Sequence, residues 1–138
     1  MEWLFYAFVS AGAAALTAIL AKLGVAGLPS TLATAVRTVV VAVFAWAIVI
    51  ALGEHRALPS ISRRSLLFLG LSGIATAVSW LAYFRALQLA PASRVAPIDK
   101  LSLPLTIILA VVFLGEPLGW RLGAGVALMA LGAVLTLG

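Results

Sequence analysis

Residues 95–106 read VAPIDKLSLPLT. In an otherwise apolar run, this stretch sets Asp99 beside Lys100 and brackets the pair with Pro97 and Pro104. Whether it is a polar loop or part of a bilayer-crossing helix decides the fold. Its surroundings favour the helix, because 95–114 has the roughly 20 predominantly apolar residues that a crossing requires. Four further windows, 3–22, 30–52, 66–85 and 118–137, match it in length and character.

Composition agrees. Of 138 residues, 64% are hydrophobic and 9% charged, a balance that a soluble domain of this size has no interior to accommodate. The sequence therefore predicts an all-α membrane protein, a single unit of five transmembrane helices with its termini on opposite sides. The first window is expected to remain in the membrane rather than be cleaved as a signal peptide, since it lacks a basic leader and four equally apolar windows follow. With no cysteine, disulfides and thiolate chemistry are excluded. The single histidine, His55, falls in the polar loop GEHRALPSISRR and reads as a solvated side chain. The net charge of +5 is scattered singly through the connections, which suits juxtamembrane anchoring better than nucleic-acid binding.

The connections carry ordinary helix punctuation. Gly24, Gly27 and Pro29 end the first helix, with Ser30 or Thr31 placed to cap the second. Pro59 and Ser62 precede the third, and Pro91 and Ser93 the fourth. In LGEPLGW, Gly115 suits a helix end, Glu116 suits the positive end of the next helix dipole, and Pro117 fits its first turn.

Four helices carry a polar stripe: Tyr6, Ser10 and Thr17; Thr31, Thr34 and Thr38 beside Arg37; Ser72, Thr76, Ser79 and Tyr83; Asp99, Ser102 and Thr106. The fifth is bare except for Thr136. It repeats small residues at Gly119, Gly123 and Ala127, spacings that let helices approach closely in lipid. Helices one to four are expected to surround a polar path, with the fifth as scaffold or oligomer contact.

Ionisable groups at membrane depth are the sharpest functional signal. At 1.5 Å per residue, Arg37 lies about 10 Å along helix two, and Asp99 and Lys100 about 9 to 10 Å along helix four, both counted from the same side. A charge there is costly unless paired or wetted, and marks a functional site by default. Arg37 with Asp99 is the expected ion pair, with Lys100 joining it or snorkelling outward. Pro97 and Pro104 remove two amide donors and free carbonyls one turn earlier, near Ser93 and Lys100, making helix four the candidate ligand-lining or moving element. Trp80, Tyr83 and Arg85 read as interface anchors at the end of helix three. The candidate substrate-binding or gating residues are thus Arg37, Asp99, Lys100, Ser79, Tyr83, Ser102 and Thr34.

Chemistry of other kinds finds no support. The acids Glu2, Glu54, Asp99 and Glu116 do not pair on one helical face for acid/base work, and no phosphate loop or metal-ligand cluster is present. No enzyme activity, cofactor or metal is expected. Positive residues divide almost evenly between the two sides, the pattern of a chain able to insert both ways. An antiparallel homodimer in the bilayer is expected, with a small-molecule substrate and no nucleic-acid partner.

The segments AKLGVAGLPSTLATAVRT and YFRALQLAPASRVAPIDKLSLPLTIILAVVFLGEPL closely resemble the EamA-type domain of the drug/metabolite transporter superfamily, and PIDKLS resembles its short five-helix bacterial and archaeal branch. The resemblance spans essentially the whole chain. It implies export or exchange of small metabolites across the inner membrane of a prokaryote, with helices one to four around a central cavity. Larger members join two such domains in opposite orientation, whereas this chain has one, which favours dimerisation. The related small multidrug-resistance exporters use a glutamate in their first helix. No acid lies between Trp3 and Lys22 here, so proton-coupled export of cationic drugs by that route is not expected. Asp99, beside Lys100 and level with Arg37, is a poor proton shuttle, and an anionic or zwitterionic substrate suits the cluster better. The rival readings are a flippase for a lipid-linked headgroup and a non-transporting membrane scaffold.

Overall fold

The computed structural model describes residues 2–137, and every regular element among them is helical. In chain order these are α1 (Glu2–Gly24), α2 (Ser30–Ala51), a 3-10 helix (Glu54–Ser60), α3 (Arg63–Leu89), α4 (Ala92–Asp99), α5 (Ser102–Leu109), a π-helical turn (Ala110–Leu114) and α6 (Trp120–Leu135). Four segments are long and apolar enough to cross a membrane: α1, α2, α3 and the composite 92–114. The last helix, α6, has 16 residues, about 24 Å at the helical rise, against a hydrocarbon core of about 30 Å.

Local chemistry explains where the boundaries depart from the apolar windows. On α3, Ser62 Oγ accepts the Ser65 N–H at 3.0 Å, so capping starts the helix three residues before the apolar run. The helix then runs past Arg85 to Leu89, because the first residue that resists it is Ala90, ahead of Pro91. At α2 the cap position is Pro29, with no side-chain capping bond, in place of the Ser30 or Thr31 cap expected. Thr34 Oγ1 instead donates to the Ser30 carbonyl at 2.9 Å. At α4 the cap position is Pro91, and Ser93 lies inside the helix rather than before it.

The final connection also differs from expectation. Gly115 takes φ +68° and Gly119 is extended, so Glu116 and Pro117 lie in a non-helical link and α6 begins only at Trp120. Glycine is the residue that adopts both conformations at little cost.

Two compact units share the chain. One comprises residues 1–19 and 89–138, the other residues 20–88. In the first, α4 and α5 pack on α6. The buried residues there include Pro104 on α5 and Ala133 on α6, and Ala133 continues a half-buried stripe formed by Gly123, Val126 and Ala130. In the second, Ala21, Val25, Thr34, Phe84 and Leu87 are buried. They come from the end of α1 and its following turn, the start of α2 and the end of α3. Large side chains elsewhere point outward, among them Phe8, Phe44 and Leu69, as expected of surfaces solvated by lipid rather than water.

The composite segment 92–114 is interrupted between α4 and α5, whereas Pro97 lies inside α4, which runs unbroken from Ala92 to Asp99. Lys100 and Leu101 form a turn between α4 and α5, with (φ, ψ) of −70°, −8° and −61°, −17°. Pro104 has no N–H for the Lys100 carbonyl, which instead accepts from Leu103 N–H at 3.0 Å. The break is a tightening of the helix to 3-10 geometry rather than an unwinding.

Because Gly115 is left-handed, Gly115→Ala is expected to destabilise the protein by about 1 to 2 kcal/mol. Thermal unfolding in detergent checks this, and an unchanged midpoint would mean that the link re-forms without a positive φ.

Candidate functional site

Arg37 sits on the inner stretch of α2, half-buried. Its Cζ lies 4.0 Å from the centroid of the Trp80 ring and 5.6 Å from that of Phe84. Trp80 and Phe84 are four residues apart on α3 and so share one face. Such contacts are worth about 2 kcal/mol when desolvated, enough to offset part of the cost of a charge at membrane depth. They use none of the five guanidinium N–H donors in a conventional hydrogen bond. Tyr83, on the same helix as the rings, is an electrostatic neighbour of that guanidinium.

Two polar contacts fix the register that brings Arg37 to Trp80. Gln88 Nε2 donates to the Leu28 carbonyl at 2.5 Å, and Lys22 Nζ donates to the Leu87 carbonyl. The first ties the end of α3 to the entry of α2, so these helices run antiparallel. The second ties the end of α1 to the end of α3. Leu87 is among the last residues of α3, whose carbonyls lack a helical N–H partner, and a cation there also suits the helix dipole. Arg85 in turn donates from Nη1 to Gln88 Oε1 at 3.1 Å. Lys22 and Arg85, expected as membrane-surface anchors, thus both make hydrogen bonds within the protein.

Hydroxyls near Arg37 are satisfied within their own helices. Thr34, buried, donates to Ser30 O, and Thr38 donates to Thr34 O at 2.8 Å. Thr76 on α3 does the same to Ser72 O at 2.9 Å. This back-bonding commits the hydroxyl proton and leaves the oxygen lone pairs as acceptors. Ser79 is exposed and Tyr83 half-buried, with the Tyr83 ring 6.5 Å from Phe84 in an edge-on arrangement.

In the other unit, Lys100 Nζ lies 3.6 Å from Asp99 Oδ2, with Lys100 the more exposed of the two. Asp99 therefore already has a cation beside it from its own turn. Ser102 is exposed, and its carbonyl accepts from Thr106 Oγ1 at 2.8 Å. Pro97 is half-buried within α4 and Pro104 buried within α5. Of the small residues singled out for packing, Gly119 and Ala127 are exposed and Gly123 half-buried. A Cβ placed on Gly119 or Gly123 would meet nothing within 4 Å, so no approach among the described residues requires glycine at either position.

Sequence reasoning found Arg37 but not the rings beneath it. The available signal was the spacing of Trp80 and Phe84 together with the opposite directions that successive bilayer crossings give α2 and α3. No group of three metal-ligating side chains occurs among the described residues.

The EamA-like transporter family matches residues 1–138. The chain belongs to the EamA-like transporter family. This EamA-like protein is 53% identical, over 134 residues, to a curated Sinorhizobium sp protein named "Uncharacterized transporter in cobO 3'region". The match covers 97% of this chain and 95% of that relative. No solved structure matches it. The chain is a transmembrane transporter by family, with several apolar helices as its membrane-embedded part.

Removing the Lys22 tie tests the register. Lys22→Met leaves the Leu87 carbonyl without this donor and is expected to cost about 1.5 to 3 kcal/mol, the range for a hydrogen bond to a charged group. The check is the thermal midpoint in detergent, and a wild-type midpoint would show that Lys22 is dispensable to the packing.

Proposed function

We propose that this EamA-like protein exports or exchanges a small anionic or zwitterionic metabolite by alternating access. In this reading the chain crosses the inner membrane of a prokaryote five times, with its termini on opposite sides. It works as an antiparallel homodimer in which two oppositely inserted copies supply the inverted repeat that longer transporters carry in one chain.

The observation that supports this reading is the state of Arg37: a guanidinium within an apolar helix, held by two aromatic rings whose face contacts engage none of its N–H donors. In lipid those donors need an acceptor, and an arriving oxyanion supplies one with the geometry that guanidinium prefers. Thr34, Ser79 and Tyr83, polar groups on the same two helices, orient the remainder of the substrate in this reading. The segment with Pro97, Asp99, Lys100, Ser102 and Pro104 serves as the gating element, since a helix already broken at Lys100 bends at less cost than an intact one. Gly119, just ahead of α6, and Gly123 and Ala127 on α6 form the contact between copies, leaving α6 outside the transport path.

Two measurements test the proposal. Arg37→Ala and Lys100→Ala are each expected to abolish counterflow of labelled anionic metabolites in proteoliposomes while dimers persist by crosslinking; full activity in both would defeat the anion reading. A topology reporter fused to the C-terminus is expected to give signal from both sides of the membrane. Uniform signal from one side would sink the antiparallel arrangement and leave a parallel dimer.

A further inference from the structure

We propose that Arg37 and Trp80 form a half-site selective for monocarboxylates, in which Trp80 is the positioning residue that aims the guanidinium. The proposal rests on the anion reading above and sharpens it to a charge and a shape.

Charge comes first. Within residues 20–88, Arg37 is the single charge in α2, and α3 carries none between Arg64 and Arg85. In the other unit, Lys100 and Asp99 stand 3.6 Å apart, so that pair balances itself. Among the described residues of its own unit, Arg37 is thus a positive charge with no acid between the ends of the apolar helices. A ligand of charge −1 cancels it. A dianion leaves a net negative charge at membrane depth, and a zwitterion leaves the positive one, both costly where little water is available.

Shape follows from the rings. The Trp80 ring, 4.0 Å from Cζ, covers one face of the guanidinium, and Phe84, 3% exposed, backs it. Face contact does not cover the edge of the planar N–H fork, and that fork matches the two oxygens of a carboxylate. The same contact restricts the long arginine side chain and fixes where its donors point, lowering the ordering cost that a ligand meets on binding. Lysine in place of Arg37 retains the charge and loses the fork. Leucine in place of Trp80 retains apolar bulk and loses the π face, whereas phenylalanine retains a face.

The experiment uses full-length protein in nanodiscs with Trp3, Trp46 and Trp120 replaced by phenylalanine, so that emission reports Trp80 alone. Acetate, succinate and glycine are titrated at ionic strength held constant with sodium chloride. A saturable emission change is expected with acetate, and binding about tenfold weaker or more with succinate and glycine. In thermal-shift titrations with acetate, Trp80→Phe is expected to bind within about threefold of wild type, while Trp80→Leu and Arg37→Lys weaken binding about tenfold. Succinate or glycine binding as tightly as acetate overturns the charge argument. Wild-type acetate affinity in Trp80→Leu, or in Arg37→Lys should the leucine variant not fold, overturns the positioning role. If transport still requires Arg37 but acetate neither shifts emission nor stabilises the protein, this half-site is refuted and the transport reading stands. If transport is indifferent to Arg37, the transport reading fails in its own assay.

Discussion

In a bilayer every polar group of a helix must find its partner within protein, ligand or trapped water. Arg37 is the most demanding such group in the chain, and the surrounding helices serve it at one end of a three-helix contact. Its guanidinium lies over Trp80, which requires α2 and α3 to run antiparallel in one register. The Gln88 contact to Leu28 and the Lys22 contact to Leu87 set that register, and Phe84 and Leu87 fill the space between the helices. The buried residues of this unit gather where the charge is handled, while the outer faces of the same helices remain apolar and open.

The other unit answers the same constraint differently. Lys100 lies beside Asp99 within one turn, so its charge is met by its sequence neighbour and not by an aromatic face. The backbone there is also self-sufficient, because the Lys100 carbonyl takes a tighter bond from Leu103 in place of the one that Pro104 cannot give. One unit thus has a cation lying on aromatic rings, and the other a nearly neutral pair on a broken helix. In the transport scheme proposed here, the first suits recognition and the second suits movement.

Much of this was legible in the sequence. Apolar length predicted the helices, and four of the five windows correspond to segments long enough to span. The edges shifted for reasons of a few atoms: the Ser62 cap started α3 early, Pro91 set its end, and the conformations of Gly115 and Gly119 delayed α6 to Trp120. Two prolines suggested two disturbances, near Ser93 and Lys100; α4 absorbs Pro97 without a break, and the turn at Lys100 lies one helical turn before Pro104. Arg37 announced itself as an unusual charge, but its ring partners did not, because pairing Trp80 with Arg37 depends on register and rotation, which hydropathy does not encode. The hydroxyl stripes were visible, yet periodicity could not reveal that Thr34, Thr38, Thr76 and Thr106 donate to their own helices.

The proline at position 104 has one more consequence. A helix interrupted by weak residues can heal when its environment changes, since the missing bond forms as soon as the backbone straightens. Residue 104 has no hydrogen to give in any conformation. The Lys100 carbonyl therefore never receives a hydrogen bond from residue 104, whatever the angle between α4 and α5. In the transport scheme proposed here, bending at this joint needs no helical bond to be broken first, which separates it from the slow cooperative chemistry of helix formation.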